Sequence, residues 1–264
     1  MSEKVLLILV DGMRSDAITA CGIPEFKRFY QEGTYSFHAK TVFPPVTLPC
    51  HMSLFHSVTP QKHGVLTNTI VPQNYPVDGL VERLAAAGKR TAFFYMWEQL
   101  RDLCTAGNHL SYSWFMSWRA YCKDEKLDWR ATREAESHIQ EFAPDFVFLY
   151  LGETDEYGHK YGWMSPEYLN CVRHAYTCIH HICATLPKDY HVIVTADHGG
   201  HGRDHGEDVP EDMTIPIVFR GRRFPAGESA RPLHILDIAP TILDILGLEP
   251  CDGWEGRSVL ADPL

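Results

Sequence analysis

The chain contains no apolar stretch approaching the roughly 18 residues that a membrane-spanning helix requires. Runs such as Val5–Val10 stop at six residues, which excludes a spanning helix of that kind. Positive charge is scarce: 24 Lys and Arg stand against 34 Asp and Glu, a formal net charge of −10. That balance excludes an extended nucleic-acid surface or an anionic membrane as the main partner. The 8 cysteines, at positions 21, 50, 104, 122, 171, 178, 183 and 251, have no framework spacing, so a disulfide scaffold is not expected and a reducing compartment is. Met1-Ser2-Glu3-Lys4 leads straight into an apolar run too short for the hydrophobic region of a signal peptide. The sequence thus predicts a cytoplasmic protein with no membrane partner. There is no internal repeat and no low-complexity linker. The 264 residues suit one domain, 1–264, with an insertion.

What the chain does have is a set of apolar runs that end in aspartate. Val5–Val10 precedes Asp11, Phe146–Leu151 precedes Glu153 and Asp155, and Val192–Ala196 precedes Asp197-His198. Continuous Val, Ile, Leu and Phe read as strands buried on both faces, as in parallel sheets covered by helices. Ligands of such sheets bind beyond the carboxyl ends of the strands. One edge would then collect Asp11, Asp155, Asp197, His198 and His159. Aspartate after a strand can equally cap the next helix. Capping does not call for imidazoles, whereas divalent metal ions do take neutral His and carboxylate ligands.

Strand and helix signals alternate from end to end, so the expected class is α/β, a mostly parallel central sheet with helices on both faces. Helices are expected at Pro24–Glu32, around Met52–His56, and at Val77–Ala87, Trp129–Phe142, Pro166–Leu186 and His234–Leu246. Further strands are expected at Thr91–Met96 and Ile215–Phe219. The segment 97–130 breaks the alternation and concentrates Trp97, Tyr112, Trp114, Phe115, Trp118, Tyr121 and Trp129. It reads as a small insertion near the active site, either a stacking wall for an organic group or a minor core of its own. On Pro166–Leu186, Cys171, His174, Cys178 and His181 form a stripe opposite the apolar face. A covered helix face or a subunit contact accounts for it better than a metal site, because one straight helix offers few ligands to one ion.

Two divalent ions side by side can clamp the attacking and leaving oxygens of a phosphoryl transfer. The hydroxyls available as nucleophile are Thr41, Thr47 and Ser53. Thr47, in Pro45-Val46-Thr47-Leu48-Pro49-Cys50-His51, stands just before a predicted helix whose N-terminus favours an anion.

These stretches together resemble the alkaline phosphatase superfamily, in its nucleotide pyrophosphatase/phosphodiesterase branch. The resemblance runs through Leu6 to Arg14, Pro45 to Val65, Asp155-Glu156-Tyr157-Gly158-His159-Lys160-Tyr161-Gly162, Ala196-Asp197-His198-Gly199-Gly200 and Asp237 to Gly247. It implies two divalent metal ions, Zn2+ before Mn2+ or Fe. One ion would take Asp11, Thr47, Asp197 and His198. The other would take Asp155, His159 and a late histidine, His205 in preference to His201. Thr47 would form a phospho-threonine intermediate, and the substrate would be a phosphodiester or nucleotide pyrophosphate. A phosphomonoesterase or phosphonate hydrolase on the same site is the alternative, and a non-catalytic metal-binding interaction module the remote one. Cys50 stands where the branch is expected to carry a donor Asn, leaving Cys50, His51 and His201 as substrate-binding candidates. Cys50-His51-Met52-Ser53 lacks the Pro and Arg pattern of a sulfatase.

Overall fold

The computed structural model describes residues 3–73, 77–103, 109–117 and 126–261. Its frame is one eight-stranded sheet: β1 (Lys4–Val10), β2 (Thr34–Lys40), β3 (Thr91–Tyr95), β4 (Tyr112–Phe115), β5 (Phe146–Leu151), β6 (Tyr190–Thr195), β7 (Thr214–Arg220) and β8 (Gly227–Glu228). The order is β4-β3-β5-β1-β6-β7-β2-β8. All pairings are parallel except those of β7 with β6 and with β2. The class read from the sequence is the class observed.

The three apolar runs are the adjacent strands β5, β1 and β6. Val10 pairs with Leu151 and Leu9 with Thr195, so the three carboxyl ends are level. Every residue of β5 and β6, and of β1 after Lys4, is buried. That burial on both faces is why these strands are apolar without alternation. On one face Phe146, Phe148 and Tyr150 meet helix Thr47–His56: Phe55 packs on Phe148 at 5.1 Å and His51 on Tyr150 at 5.7 Å between ring centroids. On the other face Phe94, which alternates with Phe93, meets His138 of helix Leu127–Phe142 at 5.7 Å.

Several boundaries differ from the sequence expectation. The helix expected around Met52 begins at Thr47. Pro49 does not delay it, because the first-turn N–H groups have no intrahelical partner to lose. Strand β2 carries exposed and half-buried residues at alternate positions and has no continuous apolar run. Helix Glu153–Tyr161, which follows β5 directly, opens with three acidic residues. The closing helix expected over His234–Leu246 is a 3-10 turn, Ile235–Asp237, followed by helix Ile238–Ile245.

Of the aromatic segment, Tyr112–Phe115 forms the edge strand β4, and Trp97, Trp114 and Trp129 pack against the core. Trp118 and Tyr121 lie outside the described residues. The stripe on helix Pro166–Thr185 is covered: Cys171 and Cys178 are buried, and His181 contacts Glu136 and Trp129 of the neighbouring helix.

Candidate metal centre

The level strand ends bring the expected donors together. Asp11 follows β1, and its Oδ2 accepts the Tyr150 hydroxyl from β5. Asp197 follows β6 by two residues, and its Oδ1 accepts the N–H of Gly12 at 3.1 Å and of His198 at 2.9 Å. The outward oxygens are different. Asp11 Oδ1, Asp197 Oδ2 and Asp155 Oδ1 are buried and accept no hydrogen bond. His198 Nε2 lies 3.3 Å from Asp11 Oδ1 and 3.4 Å from Asp197 Oδ2. Asp155 is the third residue of helix Glu153–Tyr161. His159, one turn later, has its Nε2 3.4 Å from Asp155 Oδ2. His205 closes the group from a loop, its Nε2 3.8 Å from Asp155 Oδ1.

The imidazoles are fixed in one tautomer. Nδ1 of His198, His159 and His205 faces the carbonyl oxygens of Gly199 (2.7 Å), Arg203 (3.0 Å) and Pro45 (2.8 Å). A carbonyl only accepts, so Nδ1 carries the hydrogen and donates it. In the neutral ring each Nε2 then turns a lone pair toward the carboxylates. Backbone partners of this kind orient histidines that bind metals. His198 and His205 stack, with centroids 3.8 Å apart and planes 15° from parallel.

Electrostatically the cluster has little positive charge, confined to His159. Burial, then the carboxylates of Asp197 and Asp155, push Asp11 well above the ordinary carboxylate range. Burial raises Asp197 as well. Burial also pushes Asp155 up, but the hydrogen bond with His159 and the imidazoles of His198 and His205 outweigh it and hold that carboxyl below its usual value. Burial lowers His198, and burial followed by the nearby His198 lowers His205 to about 4. Only His159 is raised, to about 9, by its hydrogen bond to Asp155. Three unpartnered carboxylate oxygens facing neutral imidazole nitrogens are a donor set for divalent cations. Among the described residues, two trios have donor atoms mutually within 4.8 Å, Asp11-Asp197-His198 and Asp155-His198-His205. Their N and O chemistry suits zinc, and also manganese or iron.

Among the three hydroxyls considered, one reaches this cluster. Thr47 Oγ1 is 3.3 Å from His198 Nε2. It is not a helix cap: Val46 holds the N-cap position, with no side-chain cap. Thr41 Oγ1 bonds Cys50 Sγ at 3.2 Å and Ser53 Oγ bonds His63 Nε2 at 3.0 Å. Cys50 is therefore occupied away from the cluster, between Thr41 and the Pro44 carbonyl, and is fully buried. His51 donates to the Thr47 carbonyl at 2.8 Å and stands 3.6 Å from Asp197, behind the carboxylates. His201 faces outward, its Nδ1 bonded to Asp212 at 2.8 Å.

Four further residues complete the arrangement. Tyr150 holds Asp11. Trp163 donates to the Gly12 carbonyl at 2.8 Å and packs edge-on against His159 and His205. Buried Asp212 accepts the N–H of Gly206 (2.9 Å) and Glu207 (3.0 Å), anchoring the loop that carries His205. Asn68, exposed, accepts the Leu48 N–H through Oδ1 at 3.0 Å, which places its amide at the helix start beside Thr47. A hydroxyl buried in a strand needs a partner, which is a signal for Tyr150; Asn68 and Asp212 carry no comparable local mark.

A parallel sheet edge with two carboxylate-imidazole trios and a helix-borne threonine is a candidate divalent-cation centre of an α/β protein. The chain belongs to the type I phosphodiesterase/nucleotide pyrophosphatase family, whose profile matches residues 5–206. It is 24% identical over 228 residues to human ectonucleotide pyrophosphatase/phosphodiesterase family member 7, a match that covers 75% of this chain and 48% of that protein. The chain thus spans about half the length of the curated relatives it matches. The fold is shared with murine ectonucleotide pyrophosphatase/phosphodiesterase 5, solved as an inactive variant with AMP, at TM-score 0.78 and 15% identity over 94% of this chain and 96% of that one. It is shared too with a phosphonate monoester hydrolase of Silicibacter pomeroyi, at TM-score 0.74 and 15% identity over 99% and 76%.

Proposed function

We propose that the protein is a two-cation phosphohydrolase acting on phosphodiesters or nucleotide pyrophosphates, with Thr47 as nucleophile. The observation that carries this reading is Thr47 Oγ1 at 3.3 Å from His198, itself in contact with Asp11 and Asp197. Asp11, Asp197, His198 and Thr47 would hold one cation, and Asp155, His159 and His205 the other. Cations bound there supply the positive charge that activates a hydroxyl and neutralises phosphate. Thr47, at the first turn of its helix, would present its Oγ to the substrate phosphorus while backbone N–H groups and the helix dipole favour the anion. Attack by Oγ forms a phospho-threonine and releases the alcohol or nucleoside phosphate. Water then attacks the same phosphorus, the P–Oγ bond breaks to release the phosphomonoester product, and a proton from that water returns Thr47 to its hydroxyl. With Oδ1 engaged by the Leu48 N–H, the Asn68 amide would have its hydrogens left to donate to the transferring group. A neutral amide matches the single charge of a diester better than the two charges of a monoester. The AMP bound to the murine relative is in keeping with a nucleotide substrate.

Thr47→Ala should lower hydrolysis of bis-p-nitrophenyl phosphate by at least about 10³-fold while zinc uptake persists, and p-nitrophenyl phosphate should be the poorer substrate of the wild type. Unchanged turnover in Thr47→Ala would remove the nucleophile assignment. We also propose a cytoplasmic location, supported by the free thiols of Cys21, Cys50, Cys171, Cys178, Cys183 and Cys251.

A further inference from the structure

Helix Glu153–Tyr161 brings Asp155 and His159 to the second donor group, yet nothing in its own sequence closes its N-terminus. The N-cap is Gly152, which has no side chain to offer. A larger residue does not fit, since a Cβ there would stand 2.6 Å from the Tyr150 ring. Tyr150 in turn donates to Asp11. The residue that steadies the first donor group therefore removes the local cap from the helix that carries the second. Helix-start N–H groups still need acceptors. Here they come from another helix: Asp128, second residue of Leu127–Phe142, accepts the Gly152 N–H at 2.9 Å and the Glu153 N–H at 3.3 Å, both through Oδ1. Asp128 is fully buried, and its Oδ2 accepts no hydrogen bond. Burying a carboxyl with one oxygen unmatched is costly, so the two bonds made by Oδ1 carry its contribution, reinforced by the helix dipole.

We propose that Asp128 is a positioning residue for the second cation, fixing the first turn of helix Glu153–Tyr161 and through it Asp155 and His159. The proposal rests on the two-cation reading given above. Asp155 lies two residues beyond the last N–H held by Asp128, so loosening that turn displaces Asp155 first. Asp11, Asp197 and His198 hang from β1 and β6 and have no bond to Asp128, so the first cation should not respond.

The test is a zinc titration of the intact protein, with bound metal counted by elemental analysis. Asp128→Leu removes both the acceptor and the buried charge, leaving the Gly152 and Glu153 N–H groups unpaired at a cost of about 1–3 kcal/mol each. Asp128→Asn keeps the carbonyl oxygen. Wild type should take up two equivalents. Asp128→Leu should bind the first as wild type does and the second about 10- to 100-fold more weakly. Asp128→Asn should stay within about threefold of wild type for both. Asp128→Ala takes the place of the leucine variant should that one not fold. Equal binding by wild type and the acceptor-free variant overturns the proposal. So does equal weakening of both equivalents, or loss of the second in Asp128→Asn as well. Fewer than two equivalents in wild type overturns the two-cation reading and this proposal with it, an outcome visible before any variant is made.

Discussion

At the scale of single residues, the centre is a problem of protons as much as of geometry. His159 holds its proton to about pH 9, first through its hydrogen bond to Asp155, against an ordinary value of 6.5. A proton bound more tightly in the folded state stabilises the metal-free fold fully below pH 6.5, and the gain is lost as pH rises through 9. A cation must displace the same proton. The second equivalent of zinc should therefore bind about tenfold more tightly per pH unit up to roughly pH 9 and then level off. His205, lowered by burial to about 4, is neutral across that range and adds no slope. Titrations at several pH values check this, and His159→Gln should flatten the line. Of the candidate donors, Asp11, Asp155, Asp197 and His198 were suggested by the apolar runs they follow and His159 by its helical spacing from Asp155, whereas His205 was singled out only by the family resemblance. Asp128, Asp212 and Asn68 were not legible in the sequence: each meets the centre only through the fold, and none differs locally from an ordinary helix acid or loop amide, while Tyr150 showed only that a buried strand hydroxyl needs a partner. Cys50 was a substrate-binding candidate only because it stands where the resemblance expects an Asn, and that position in sequence says nothing of the turn that points its sulfur at Pro44 and Thr41.

At the scale of elements, the turn after β1 sets the distance between the two donor groups. Gly12 adopts φ +64°, and a Cβ added there would lie 3.0 Å from Asp155 Oδ1. Gly12→Ala should cost about 1–2 kcal/mol of stability from the left-handed backbone alone, and should weaken zinc binding through Asp155. Urea denaturation of the metal-free protein, paired with the zinc titration, separates the two effects. Strands β1, β5 and β6 were readable because burial on both faces leaves an unbroken apolar run. Strand β2 alternates between buried and exposed positions with Tyr35, Phe37 and His38 among them, and pairs antiparallel with β7 through an irregular register; its period is too broken to read. The early start of helix Thr47–His56 went unread because proline marks a helix boundary without saying on which side of it the helix begins.

At the scale of the whole molecule, an acidic chain of net charge −10 concentrates buried carboxylates at one sheet edge. Asp11 and Asp197 have raised values, so in the metal-free protein folding favours their protonated forms, and stability falls as pH rises above about 3.8. Bound cations reverse that slope. Zinc at 100 times its dissociation constant should add about 2.7 kcal/mol per site, and a chelator should lower the melting temperature by several degrees at neutral pH and by less under acid conditions. Calorimetry with and without chelator measures both. The stacked rings of His198 and His205 add a consequence for how the centre fills. Each ring forms one wall of its neighbour's pocket, so a guest that stills the first ring also removes motion from the second. Loading should then be cooperative, and by reciprocity the coupling is the same whichever pocket fills first. The first equivalent, held by the strand ends, still fills ahead of the second, which then meets a ring already stilled.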